Sequence, residues 1–213
     1  MSEIVITDEM LSDLRVRVKP YMREKRYLHT LAVERECAAL AAIYLPEREA
    51  ELRAAALLHD ITKMLSLEKQ LKYCEIFYII YGKDDLASPK LFHAKTAPAV
   101  IKRDFPEFAS EEILSGVRWH TTGRRGMSLF ETIVYLADYI EDTRTFDDCV
   151  ELRRFFYDAL AKGDEPKDKV LCRTMIRSFD LTISNLISEE SPVDLDTVDA
   201  RNCFIGCYRE KYL

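Results

Sequence analysis

The stretch Ala54-Ala55-Ala56-Leu57-Leu58-His59-Asp60-Ile61-Thr62-Lys63 decides how the chain is read. Five apolar residues run directly into a His-Asp pair. A helix that buries its alanines and leucines carries His59 and Asp60 inward with them. A buried carboxylate beside a buried imidazole is costly unless both are compensated. A divalent metal compensates both, taking a neutral nitrogen from the imidazole and an anionic oxygen from the aspartate. Taken alone, the dipeptide also fits an exposed His and Asp at a helix end, so the rest of the chain has to decide.

The chain has 213 residues, 48% of them hydrophobic, enough for one sizeable core. Only six glycines and seven prolines interrupt it, and helical periodicity dominates over alternation, so the expected class is all-α. The net charge of -6 and the lack of a large basic cluster argue against nucleic acid as a partner. The longest apolar runs, 38–45 and 76–81, are too short to span a bilayer, and no apolar segment follows a basic start. The six cysteines (37, 74, 149, 172, 203 and 207) form no CxxC pair and read as reduced thiols of a cytoplasmic protein.

Helices are expected at 9–19, capped by Thr7-Asp8-Glu9 and stopped by Pro20, and at 23–44, where His29, Val33, Cys37, Leu40 and Tyr44 form one stripe. A helix over 47–60 delivers the His-Asp pair. An aromatic and β-branched helix over 67–81 is expected to be buried, and 82–85 to form a loop. Ser88-Pro89 starts a helix that carries His93 and that Pro98 should kink. Ser110 opens the helix ending near His120, and Ser128-Leu129-Phe130-Glu131 fits a capping box for the next. Helices at 147–161 and 166–187 complete a main domain over 1–187. Residues 188–213 are expected to form a loop and a short helix, from about residue 198, packing on it.

The chain contains four histidines, His29, His59, His93 and His120, each in an expected helix or at its end. Asp138 is the one charge in the otherwise interior run Ile133 to Ile140, and a buried acid there demands a strong partner. A single histidine on an apolar stripe is more often a hydrogen-bonded core residue, and a single interior aspartate more often a cap or an arginine's partner. The joint pattern carries more weight. His29, His59, Asp60, His93, His120 and Asp138 are more ligands than one metal needs, whereas two metals sharing Asp60 would use them all and leave open positions for water and substrate.

The order His, His-Asp, Asp resembles the HD superfamily of metal-dependent phosphohydrolases, and the two intervening histidines resemble its dinuclear branch. Closer still is the YqeK family. Its wording is matched by Arg26-Tyr27-Leu28-His29-Thr30, Leu57-Leu58-His59-Asp60-Ile61-Thr62-Lys63, His93-Ala94-Lys95, and Trp119-His120-Thr121-Thr122-Gly123-Arg124-Arg125-Gly126-Met127-Ser128. Tyr135-Leu136-Ala137-Asp138-Tyr139-Ile140-Glu141-Asp142-Thr143-Arg144 matches as well. The resemblance covers residues 20–150 most strongly. It implies an HD-domain bundle of about eight to ten helices around a dinuclear centre, and the activity of a symmetrical bis(5'-nucleosyl)-tetraphosphatase with a di-iron site. It further implies one iron held by His29, His59, Asp60 and Asp138, and another by His93, His120 and the shared Asp60. Manganese or zinc also suits such a ligand set. Three features depart from the family: Pro98, which bears on how His93 is presented, the aromatic segment 74–81, and a long C-terminal segment.

From these ligands the expected chemistry is attack on phosphorus by water that two metal ions activate, with nearby cations stabilising the phosphoryl oxygens. Asp60 and Lys63 are the catalytic candidates. Lys63, Arg26, Thr121, Thr122, Arg124 and Arg144 are the candidates for substrate phosphates, Lys63 lying one turn beyond Asp60 and Arg26 one turn before His29. The resemblance implies cleavage of diadenosine tetraphosphate to two ADP, with ADP or GDP as product or ligand. Two alternatives stay open: an HD-type nucleotidase or alarmone hydrolase, and an ADP- or GDP-binding sensor with little turnover. Phe204, Ile205 and Tyr208 near the C-terminus allow a homodimer contact or packing back on the core.

Overall fold

The computed structural model describes residues 5–213, and the described residues form eleven α-helices and four short 3-10 turns with no strand. The helices are α1 (Asp8–Val18), α2 (Glu24–Tyr44), α3 (Glu49–Leu58), α4 (Leu67–Ile76), α5 (Lys83–Ala87) and α6 (Phe92–Asp104). They continue with α7 (Glu111–Trp119), α8 (Leu129–Ile140), α9 (Asp147–Lys162), α10 (Lys167–Ser188) and α11 (Leu195–Tyr212). None of them is long and apolar enough to cross a membrane. The count exceeds the expected range by one because 82–85, expected as a loop, opens α5. There the Gly82 amide donates to Asp85 Oδ2 at 2.8 Å, starting a one-turn helix.

The fold is arranged around α3. Ala54, Ala55, Ala56, Leu57 and Leu58 are all fully buried, and α1, α2, α7 and α8 pack around the helix that carries them. A helix apolar on every side has to be a central one. The small alanine side chains let four neighbours approach it, while Leu57 and Leu58 each contribute about 1.5–3 kcal/mol by burial. The expected α3 is longer than the observed one: regular helix ends at Leu58, and His59 and Asp60 lie just past it. From there the backbone tightens into i→i+3 bonds, Lys63 N to Asp60 O at 2.9 Å and Leu65 N to Thr62 O at 3.1 Å. The tight turn aims His59 and Asp60 across the end of the bundle.

Caps fix the other elements where the sequence placed them. Thr7, Ser110 and Ser128 each accept from the third residue on, and Glu131 returns its carboxylate to the Ser128 amide at 2.7 Å. The expected helix over 67–81 stops early, at Ile76. Tyr78 takes a left-handed backbone (φ 55) and Ile79 N reaches back to Cys74 O at 2.8 Å, a Schellman-type stop. Beyond it Tyr78 and Ile80 are 91% and 92% exposed, contrary to the expected burial, while Phe77 packs against the core and Tyr81 against Phe92. Regular α6 starts at Phe92, after a 3-10 turn over Pro89–Leu91, and runs through Pro98 to Asp104. His93 stays in its first turn and is buried, although Pro98 supplies no amide for the carbonyl four residues back.

The C-terminal helix is 18 residues long, where a short one was expected, because Asp194 caps it early through a bond from the Asp196 amide. It lies along α10, with the Phe179 and Phe204 rings 5.9 Å apart and Arg201 paired with Asp180. Phe204 therefore packs back against the core. All six cysteines are free thiols.

Gly116 sets the approach of α7 to α8, the helices that end in His120 and carry Asp138. A Cβ at Gly116 would meet the Phe130 ring at 2.9 Å. Gly116→Val should therefore lower stability by about 1–3 kcal/mol, the usual cost of overpacking. An unchanged urea midpoint would mean that this contact does not set the spacing.

Candidate metal centre

Five elements converge on one point. His29 comes from the first turns of α2, His59 and Asp60 from the end of α3, His93 from the start of α6, His120 from the end of α7, and Asp138 from the last turn of α8. The four histidines and Asp60 are all buried. The rings form a chain, with centroid separations of 5.5 Å from His29 to His59, 5.0 Å from His59 to His120 and 5.0 Å from His120 to His93.

The two oxygens of Asp60 face different partners. Oδ2 lies 3.3 Å from His59 Nε2 and 4.0 Å from His29 Nε2, while Oδ1 lies 3.1 Å from His93 Nε2 and 3.7 Å from His120 Nε2. Asp138 joins the Oδ2 side: its Oδ1 is 2.9 Å from His29 Nε2 and 3.7 Å from His59 Nε2. His93 Nε2 and His120 Nε2 are 3.1 Å apart on the other side. Donor atoms of His29, His59 and Asp138, and of His59, Asp60 and His120, lie within 4.8 Å of one another. Those two groups share His59. We assign His93 rather than His59 to the Oδ1 side, because it is the histidine nearest that oxygen.

Each imidazole has its other nitrogen occupied. His59 Nδ1 is 2.6 Å from Ala56 O, His93 Nδ1 2.8 Å from Lys90 O, and His120 Nδ1 2.6 Å from Val117 O. Each of these is the carbonyl three residues back, so Nδ1 donates and Nε2 is left with its lone pair pointing inward. His29 Nδ1 instead meets Glu141 Oε1 at 3.0 Å. This is the outer support that metal-ligating histidines use to fix tautomer and ring orientation. His59 Nε2 and Asp60 Oδ1 are buried without a hydrogen-bond partner. Nitrogen and carboxylate donors left unpaired at one buried point fit a divalent metal of borderline hardness.

The electrostatics agree. Burial works against the charge of Asp60, but His59 and the other rings around it hold its carboxyl well below the usual range. Asp138 is likewise held low against burial, by Arg144 and His29. Burial pushes His93 down to about 4, so that ring is neutral, as a ligand must be. His29 goes the other way: burial opposes its charge, yet Asp138 and Glu141 raise it to about 9.

The expected substrate contacts separate into groups. Arg26 Nη1 donates to Asp60 Oδ2 at 2.8 Å and Arg144 Nη2 to Asp138 Oδ1 at 2.7 Å, so both guanidiniums touch carboxylates of the cluster. Lys63 Nζ lies 3.2 Å from His93 Nε2, and burial lowers its pKa. Thr121 carries a buried hydroxyl with no partner, while the Thr122 hydroxyl donates to Gly123 O at 2.9 Å. Arg124 is turned away to Glu131 (3.0 Å) and to Arg125 O, where it braces the capping box of α8.

Sequence reasoning missed the supporting residues. Glu141 is fully buried and accepts from the Thr143 amide and hydroxyl as well as facing His29. Its place just past the end of α8, three residues beyond Asp138, was the available signal. Thr62, Gln70 and Thr96 form a buried network. Thr62 Oγ1 donates to His93 O at 2.9 Å, Gln70 Nε2 to Thr62 O at 2.7 Å, and Thr96 Oγ1 to Gln70 Oε1. The network ties the turn after Asp60 to the helix carrying His93, and no sequence pattern marked it.

Two outcomes are expected. In the metal-free protein the His29 pKa of about 9 lies above the ordinary 6.5, so the ring is protonated near neutral pH. Ligation requires the neutral ring, so metal binding should expel that proton, and the release should fade as pH rises through about 9. Calorimetry in buffers of differing ionisation enthalpy reads this directly. Glu141→Gln should weaken metal affinity about 10- to 100-fold in a chelator competition, with the fold intact.

The HD domain family model matches residues 26–143. The chain is 31% identical to the symmetrical bis(5'-nucleosyl)-tetraphosphatase of Bacillus subtilis, over 89% of this chain and 94% of that protein. It is 33% identical to the protein of the same name from Halalkalibacterium halodurans, over 87% and 91% of the two chains. Among solved structures, a predicted HD superfamily hydrolase involved in NAD metabolism from Clostridium acetobutylicum superposes with a TM-score of 0.79 at 32% identity, covering 92% of this chain and 97% of that one. With the His/Asp cluster and the all-helical fold, these likenesses place the chain in the HD-domain hydrolase family, in the branch of the symmetrical bis(5'-nucleosyl)-tetraphosphatases.

Proposed function

We propose that the chain is a metal-dependent phosphohydrolase that cuts diadenosine tetraphosphate symmetrically into two ADP. The observation that carries the reading is the division of Asp60, one oxygen toward His59 and His29 and the other toward His93 and His120. A carboxylate so placed would offer one oxygen to each of two ions. His29, His59, Asp60 and Asp138 would hold one, and His93, His120 and Asp60 the other. A bound divalent pair supplies activated water and neutralises charge on the phosphoryl oxygens.

The chain's own groups do the rest. Arg26 and Arg144 stand at the edge of the cluster, each on a ligand carboxylate, and can extend a free donor to a phosphate. Lys63 supplies a further donor beside His93, and its lowered pKa suits it to pass a proton to a leaving phosphate. Thr121 offers the unpaired hydroxyl next to His120. Iron is the metal we favour from the family resemblance, with manganese or zinc compatible with the same donors. Relatives named for hydrolysis of bis(5'-nucleosyl) tetraphosphates support the substrate. A single-metal nucleotidase would leave the inward nitrogens of His93 and His120 without a role. The free thiols support a reducing, cytoplasmic setting.

Diadenosine tetraphosphate should yield two ADP and no ATP or AMP when products are separated chromatographically, on protein with about two metals per chain. ATP plus AMP would overturn the point of attack. Asp60→Ala should lose both metals and depress turnover by at least about 10²–10³-fold, the scale of removing a main electrostatic stabiliser. Retained activity would refute the bridging role.

A further inference from the structure

A groove of about 490 Å³ runs outward from His29. Its cationic lining is Arg23, Lys25, Arg26 and Arg144, and Arg23 and Lys25 make no ion pair among the described residues. Three large apolar side chains line the same groove while facing solvent: Leu28 is 51%, Met64 41% and Phe146 68% exposed. An acidic chain that gathers four cations and three exposed apolar side chains in one groove beside its buried centre is shaped for a ligand with matching parts. The ligand needs an anionic run for the cations and a flat apolar end for Phe146.

From this arrangement we infer that Phe146 is a nucleobase platform: one base of the dinucleotide stacks on its exposed ring while the phosphates follow Arg144 and Arg26 inward. The inference rests on the proposed dinucleotide substrate and adds where one half of it is held. Phe146 lies two residues beyond Arg144, within roughly 7 Å of it by backbone reach, and both line the groove, so cation and ring can meet neighbouring parts of one nucleotide. The backbone that presents the ring is fixed. Thr143 bonds Glu141 through amide and hydroxyl, Arg153 holds Arg144 O at 2.9 Å, and Phe146 O accepts from Val150 N at 3.0 Å as α9 begins. Phe146 belongs neither to the buried core nor to the residues packed against it. An aromatic ring held on rigid backbone, outside the core and beside a cationic track, is the arrangement by which proteins stack bases without reading their identity.

The test compares the metal-loaded protein with Phe146→Ala, Phe146→Leu and Phe146→Trp. Calorimetry measures binding of diadenosine tetraphosphate carrying a methylene in place of its central bridging oxygen, and of inorganic tripolyphosphate, which has no base. Phe146→Ala should weaken the dinucleotide analogue about tenfold, within the range of losing one base-stacking contact, with tripolyphosphate unchanged. Phe146→Trp should restore binding and Phe146→Leu should not. On the hydrolysable substrate the same loss should appear in KM, with kcat retained. Unchanged analogue affinity in Phe146→Ala overturns the platform, as does an equal loss for tripolyphosphate, which would mean a disturbed loop. A change in oligomeric state with no change in affinity would overturn it too, in favour of a contact between copies. Failure of the wild-type protein to cut diadenosine tetraphosphate would sink the proposed reaction alone, because the binding comparison is read without turnover.

Discussion

A carboxylate only 2% exposed cannot stay ionised without close partners on every side, and the structure is built to supply them to Asp60. The Arg26 guanidinium donates to one oxygen, and four imidazoles stand round the carboxylate with nitrogens that would share a cation with it; these groups come from helices far apart in the chain. The core satisfies this constraint first. Helix α3 is alanine-rich so that its neighbours can close in, Gly116 lets α7 meet α8, and the turn after Asp60 is tied to α6 through Thr62, Gln70 and Thr96. Packing and chemistry are therefore one problem here. The residues that bring the helices together are the ones that bring the donors together.

The charge pattern follows the same logic at longer range. The chain is acidic overall, with a net charge of -6, yet Arg23, Lys25, Arg26, Lys63 and Arg144 stand at the centre and along the groove leading from it. Net charge describes solubility and long-range repulsion, whereas binding of a polyanion depends on the local field within a Debye length of about 8–10 Å. An acidic protein can thus hold a strongly anionic ligand, provided that its negative groups lie elsewhere or, like Asp60 and Asp138, are already paired with the Arg26 and Arg144 guanidiniums.

What the sequence made legible was what is scarce in it. With only four histidines in the chain, each at or near a helix end, their convergence could be read from spacing and then from family likeness. The caps were legible because Thr7, Ser110 and Ser128 act within three residues of themselves. The stop at Tyr78 was not, because a tyrosine in left-handed backbone carries no local signal. Nor was α5, nucleated by an aspartate in a segment that reads as a loop. Glu141 and the Thr62–Gln70–Thr96 network act across the fold on residues that the sequence does not place beside them. Arg124 carries a structural tie that its motif does not reveal: its partner Glu131 lies seven residues along and holds it at the capping box.

The histidines at 59, 93 and 120 share one local habit, a ring folded back onto the carbonyl three residues earlier. Tautomer and ring direction are thereby set inside a four-residue fragment of each helix and do not depend on the rest of the fold. Such a fragment is modular. A bundle that brings three helix ends of this kind to a common point already has three imidazoles aimed in the same tautomer, and further evolution or redesign has only to place a carboxylate between them. His29 lacks this self-contained support and borrows Glu141 from another helix, so its side of the centre is the one whose chemistry can be retuned by changing a single distant residue.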